Sequence, residues 1–239
     1  MVPIAGVLLR VALERNPMKI LAIETSGDYC SVALYCAGEV FERHVESPAR
    51  HTEVLLPLCE EVRAAGGITL SQLDGVAFGA GPGAFTGVRV AASAAHGIAL
   101  AHDLPLVPIS SLAALARGGW RMTALRYQLA MLDARRGEVY WGVYGVTDDP
   151  DAVEILQADR VTSPSQVLVT ASRPWGAVGR GYEVLAAAEV ARLAPDAIAL
   201  ERCRFPHAHD VAVLAAIELR AGRGRETEQA MPIYLRAAL

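Results

Sequence analysis

The sequence predicts an α/β fold of two lobes, each a mixed sheet flanked by helices. Three observations predict it. Three short alternating segments follow one another near the start, a strand–helix–strand–helix–strand order comes next, and a second run of strands begins near residue 127.

Taken in order, Met18–Ser26 is β-rich, Cys30–Cys36 alternates, and Val40–Val45 after Gly38 reads as a third strand. Tight turns between them imply an antiparallel meander. His51–Ala65 places Leu55, Leu58 and Val62 opposite Glu60, Glu61 and Arg63, an amphipathic helix stopped by Gly66 and Gly67. Leu73–Gly79 is a strand, Thr86–His102 a long Ala-rich helix and Leu104–Ile109 a buried strand. Tyr127–Asp133 and Glu138–Tyr144 form a hairpin around Arg135, Arg136 and Gly137 and open the second lobe. Asp148–Asp151 is a polar turn, Val161–Val169 carries a Ser-Pro start suited to a short helix, and Ala177–Gly181 is a strand end meeting a Gly turn. Asp210 is expected to cap a helix running to about Arg220, with a mobile G-R-G-R loop after it.

Composition narrows the function classes. The 239 residues allow one large or two small domains, and 53% hydrophobic with 20% charged residues excludes disorder, coiled coil and fibre. The longest apolar stretches are too short to cross a membrane. A net charge of −4 without a basic run argues against a chain that grips nucleic acid by itself. The four cysteines lack C-x-x-C spacing and read as reduced thiols of a cytoplasmic protein. Met1–Pro17 lacks the charged start and small-residue cleavage site of a signal peptide, and reads as an over-extended start or a loose tail.

The sharpest local feature is G-A-G-P-G-A-F-T-G-V-R over Gly79–Arg89, between a strand and a helix. Glycines let backbone amides approach a ligand, and a helix N-terminus favours an anion. Gly79, Gly81 and Ala84 match G-x-G-x-x-G/A, but Pro82 removes an amide and the loop is not on the first strand. A tight turn that binds nothing is an equal reading. Lys19 is the only lysine, so no Walker A loop exists. Glu24 and Thr25 at the end of the first strand, with Gly81 and Gly83, are the candidate cofactor contacts; a solvated turn is the plainer reading of Glu24 and Thr25. His207 and His209 are two apart with no third ligand in view, an ordinary helix start rather than a metal site. His51 is expected to cap its helix or bond at the surface, and Arg135 and Arg136 to solvate a turn.

The segments I-L-A-I-E-T-S from Ile20, R-H-T-E-V-L-L-P-L from Arg50, the Gly-rich loop, and L-P-L-V-P-I-S-S-L from Leu104 resemble the TsaB family, also called YeaZ. So do L-D-A-R-R-G-E-V-Y-W from Leu132, V-G-R-G-Y from Val178 and P-I-Y-L-R from Pro232. The resemblance runs from Met18 to about Arg236. It implies an actin-like, Hsp70-like (ASKHA) fold and a partner subunit that binds the catalytic threonylcarbamoyl transferase TsaD. With TsaE, an ATPase, that machinery places threonylcarbamoyladenosine beside the anticodon of tRNAs reading codons that start with A. The division expected is a leader over 1–17, a first lobe over 18–115 with the helix at about 208–222 packing back on it, a second lobe over 116–207, and a tail over 223–239. The catalytic relative carries a metal-binding His-x-Glu-Gly-His motif after the strand equivalent to Leu104–Ile109, where this chain has Ser110, Ser111, Leu112, Ala113 and Ala114. Without imidazoles there the chain is expected to be catalytically silent, to hold no stoichiometric metal or cofactor, and to meet ATP and tRNA only through the complex.

On the helix Thr86–His102, Val88, Ala91, Ala92, Ala95, Ile98 and Ala99 make one apolar stripe, and Val90, Ala94, Gly97 and Ala101 a second one of small residues. The second stripe is expected to meet a homodimer mate or the catalytic relative, with His51, Leu55 and Leu58 of the neighbouring helix, which also carries Val54 and Leu56 outside its main stripe. The alternative is that the chain's own second lobe covers it. Two competing functions remain open: an ATP-dependent kinase or hydrolase of the same fold, for which only Glu24 and Asp133 are candidate acids, and a dinucleotide-dependent oxidoreductase.

Overall fold

The computed structural model describes residues 18–47, 50–147, 149, 151–170, 174–193 and 203–236. The leader over 1–17 and half of the polar turn at 148–151 lie outside them. The first lobe is a five-stranded sheet in the order β3-β2-β1-β4-β5. Its strands are β1 (Lys19–Glu24), β2 (Tyr29–Cys36), β3 (Glu39–Glu46), β4 (Gly75–Gly79) and β5 (Leu106–Ile109). The first three form the expected meander, while β4 and β5 run parallel to β1.

Both faces of this sheet are covered, which is why β1 and β4 are buried at nearly every position. One face, with Leu21, Ile23, Val32, Leu34 and Phe78, packs under α1 (His51–Ala65) and α2 (Phe85–His102). The other, with Ile20, Ala22, Ala33, Tyr35 and Val107, packs under the last helix, Ala208–Arg220. The side chains alternate because successive residues of a strand point to opposite faces.

The second lobe is a four-stranded sheet in the order β8-β7-β6-β9, with β6 (Tyr127–Arg135), β7 (Glu138–Val146), β8 (Val153–Thr162) and β9 (Trp175–Val178). The β6–β7 hairpin is as expected. The helix expected over Val161–Val169 is instead the end of β8 followed by a 3-10 turn at Pro164–Gln166. Pro164 fits the first position of a turn, where no backbone donor is needed.

The helix α3 (Ser111–Thr123) is one of the elements that the periodicity missed, with β8 and the short helix Ala187–Leu193. The adjacent Gly118 and Gly119 of α3 weaken a helix on their own, yet they let it lie against its neighbours. A Cβ on Gly119 would stand 2.5 Å from Gln128 Oε1, and one on Gly118 3.0 Å from Asp210 Oδ2. Leu112, Leu115 and Ala116 of α3 cover Ala130, Leu132, Tyr144 and Val178 of the second sheet. The opposite face, with Leu129, Met131, Trp141 and Trp175, packs against Val167, Tyr182 and Leu193, the last at the end of α4 (Ala187–Leu193).

The last helix, α5 (Ala208–Arg220), starts after His207, so Asp210 lies in its first turn and not at its cap. Asp210 is fully buried and accepts from Arg117 Nη1 at 2.6 Å and Arg121 Nη2 at 2.9 Å, tying α3 to α5. The G-R-G-R segment is likewise not a free loop. Arg225 and Leu106 exchange two backbone hydrogen bonds of 2.8 and 2.9 Å at the edge of β5. The tail then runs past the Gly-rich loop, where the Ile233 amide donates to Ala80 O at 2.7 Å, and reaches the β6–β7 turn through Arg236.

Candidate functional site

Two surfaces carry the candidate chemistry: a cleft between the lobes and an open helical face on the first lobe. The cleft holds about 1070 Å³ and is walled by the β1–β2 turn, the Gly-rich loop, the β6–β7 turn and the tail.

Of the candidates Glu24, Thr25, Gly81 and Gly83, only Gly83 lines this space. Glu24 points inward, where it accepts from the Ser26 amide at 2.5 Å and from Ser111 Oγ at 2.8 Å. Its burial raises the carboxyl above the usual range, and these bonds offset part of that rise. Thr25 Oγ1 donates to Gly87 O at 2.7 Å. The glycines serve this packing: a Cβ on Gly79 would lie 1.8 Å from Glu24 Oε2, and one on Gly87 1.9 Å from Thr25 O. With a carboxylate seated behind Gly79, the loop is shaped to hold the end of β1 and poorly suited to a pyrophosphate. That geometry removes the basis of the dinucleotide reading.

Ser110 caps α3, accepting from the amides of Leu112 and Ala113, and donates to Asp159 Oδ2 at 2.6 Å. Ser110 and Ser111 at the start of α3 therefore present two hydroxyls already engaged, with no imidazole over Ser110–Ala114. Asp133, the other candidate acid, accepts from the Arg135 amide at 2.7 Å and pairs with its guanidinium at 3.0 Å. Arg135 and Arg136 do more than solvate a turn: both line the cleft, as do Arg89, Arg180 and Arg236. Arg180 is engaged with Asp28 and Glu183, and Arg236 with Glu138. Tyr234 of the tail accepts from Arg89 Nε at 3.2 Å, and the Arg89 guanidinium lies 3.3 Å above the Phe85 ring. The P-I-Y-L-R segment thus forms a wall of the cleft, a role its spacing did not signal.

His51 is neither a cap nor a surface group. Arg50 holds the cap position, and the His51 ring is buried, 3.0 Å from Ser47 Oγ through Nδ1. Burial lowers its pKa. A serine–imidazole pair is present, yet both residues are less than a tenth exposed, so a substrate bond has no access to it. Burial also pushes the Cys30 and Cys59 thiols up to about 12, which makes them inert at neutral pH.

The open face is on α2. Val88, Ala91, Ala92, Ala95 and Ala99 turn into the core, whereas Val90 and Ala94 are half-buried and Gly97 and Ala101 exposed. A Cβ on Gly97 would meet nothing within 4 Å. The second lobe does not cover this stripe; α2 packs on the first sheet, on α1 and on the 3-10 turn at Thr227–Gln229. Between α1 and α2 runs a groove of about 590 Å³ lined by Thr52, Leu55, Leu56, Phe85, Val90 and Ala94 among others. Leu55 forms its buried floor and Leu58 is packed on the core, while Leu56 and Phe85 are 63% and 61% exposed. Of the groove's α1 residues, Thr52 and Leu56 are therefore the side chains available to a partner; His51 and Leu55 face inward.

Among the described residues no helix is long and apolar enough to cross a membrane. The family model of TsaD, tRNA N6-adenosine threonylcarbamoyltransferase, matches residues 45–236. The chain is 34% identical over 224 residues to the tRNA threonylcarbamoyladenosine biosynthesis protein TsaB of Escherichia coli, covering 92% of this chain and 95% of that protein. It is 35% identical to the TsaB of Haemophilus influenzae, with 92% and 94% covered. The solved structure of YeaZ from Pseudomonas aeruginosa superimposes with a TM-score of 0.83 at 36% identity, covering 91% of this chain and all of that one. Sequence and fold agree, and the chain belongs to the TsaB/YeaZ family.

Proposed function

We propose that this chain is a non-catalytic subunit of the machinery that makes threonylcarbamoyladenosine in tRNA, and that it binds and activates a TsaD-like transferase through the α1–α2 face. The observation that carries the reading is the outward apolar stripe of α2, half-buried at Val90 and Ala94 and exposed at Gly97 and Ala101, beside exposed Leu56 and Phe85. A surface helix is ordinarily polar on its outward side. Small residues there let a second helix approach closely, and two related folds can meet through equivalent helices across a pseudo-two-fold axis.

The interior supports the non-catalytic part. Of the two acids that could hold a magnesium for phosphoryl transfer, Glu24 is buried and bonded to Ser26 and Ser111, and Asp133, although it lines the cleft, is paired with Arg135. In this reading the chain pairs with itself when alone, and a TsaE-like ATPase, ATP and tRNA join only once the transferase is bound. The net charge of −4 suits a subunit that leaves the tRNA to its partners.

Mixing the purified chain with a TsaD-like transferase tests it. One co-eluting complex, with threonylcarbamoyl transfer requiring both proteins and absent from this chain alone, is the expected result. Transfer or ATP hydrolysis by this chain by itself would overturn it.

A further inference from the structure

His207 shows no third ligand in the sequence, but the fold supplies two. Glu42 and His44 are two apart on β3 and so share one face of the edge strand. That face meets the start of α5, where His207 sits. His207 Nδ1 lies 3.1 Å from Glu42 Oε1, His44 Nδ1 lies 4.0 Å from Glu42 Oε2, and the two imidazole rings stand edge to face with centroids 5.1 Å apart. One donor atom from each of the three falls within 4.8 Å of the other two. His209, the neighbour that the sequence offers as a second ligand, faces Asp210 at 3.6 Å instead.

We propose that Glu42, His44 and His207 form a binding site for a late first-row divalent ion of the zinc class. Two imidazoles and one carboxylate are the donor set that suits such an ion, and three protein ligands leave a fourth position for water. Bonds of about 2.0–2.2 Å in a tetrahedron need donors roughly 3.3 Å apart. The Glu42–His207 separation is already near this, and His44, with nearly half of its side chain exposed, closes the remaining gap by turning its ring. The carboxylate is pre-oriented: Ser31 Oγ donates to Oε1 at 2.8 Å and the His209 amide at 3.4 Å, leaving Oε2 toward His44. The ion would link the edge strand to residues 203–207, which lie beside the first lobe with the Phe205 ring tilted against that of Tyr29 at 4.4 Å between centroids. It has no part in the cleft or in the α1–α2 face, so the reading of the chain as a partner subunit stands or falls separately.

The test is cobalt binding by the full chain without an affinity tag. Added Co²⁺ is expected to give a visible d–d spectrum with one-to-one stoichiometry, and both Co²⁺ and Zn²⁺ to raise the melting temperature. His44→Gln, a change at a half-exposed ring that leaves the fold intact, is expected to weaken binding by about tenfold or more and to remove the melting shift. Cys36→Ser, at a partly exposed thiol on β2, is expected to keep both. No cobalt spectrum, or binding unchanged in His44→Gln, overturns the proposal.

Discussion

Glu24 shows how a residue that looks functional in a sequence is used by the fold. An acid and two hydroxyls at a strand end resemble a ligand-facing turn, and what decides otherwise is Ser111, 87 positions away, which donates to the carboxylate. Spacing along the chain carries no trace of that contact, just as nothing in the sequence joins His207 to Glu42. The buried carboxyl has a raised pKa, so between its unfolded value, about 4.3, and its folded one the folded state binds more protons than the unfolded state. Its contribution to the stability of the native protein therefore grows as pH falls through the folded value toward the unfolded one. Glu24→Gln lacks this increment. Melting temperatures of both proteins from pH 8 to pH 4.5 are expected to converge or cross as pH falls; a constant difference would show that Glu24 does not titrate in this range.

At the scale of elements, α1 and α2 were legible because their apolar positions recur at helical spacing over many residues and Gly or Asp ends them. The helix α3 was not, since half of what makes it a helix is tertiary: its adjacent glycines are destabilising alone and useful only against Gln128, Val178 and Asp210. Strand β8 was hidden for a related reason. It is an edge strand whose consecutive exposed residues Glu154, Ile155 and Leu156 include two apolar ones, so its alternation is partial. The glycines of α2 separate packing from interface. Gly87→Ala drives a Cβ into the Thr25 carbonyl and is expected to destabilise by several kcal/mol, whereas Gly97→Ala meets open space and is expected to stabilise the isolated chain by about 1 kcal/mol through helix propensity. Urea denaturation of the two variants checks this. In the proposed complex, where a partner helix lies against Gly97, the same methyl group is expected to weaken association.

Across the whole molecule, the order of strands and helices and the Gly-rich and tail motifs sufficed to place the chain in its fold, while the joints between lobes emerged only in three dimensions. Arg117 and Arg121 of α3 converge on Asp210 of α5, and this cluster fixes the first lobe to the helix that also carries the second. Asp210→Ala leaves the nearly buried Arg117 without that carboxylate, and a loss of about 3–5 kcal/mol is expected for breaking such a pair. A double variant that also replaces Arg117 by Met is expected to recover much of it; equilibrium unfolding of the single and double variants decides. The central claim, that the α1–α2 face is where this chain meets a related transferase, is tested most directly by Ala94→Arg. Calorimetric titration of the TsaD-like partner into the variant, with its melting temperature recorded alongside, is the measurement. The account predicts a cooperative melt close to that of the parent chain and no detectable binding, because a guanidinium would be desolvated in a close helix contact. Binding that persists at parental strength in a folded Ala94→Arg chain would contradict it.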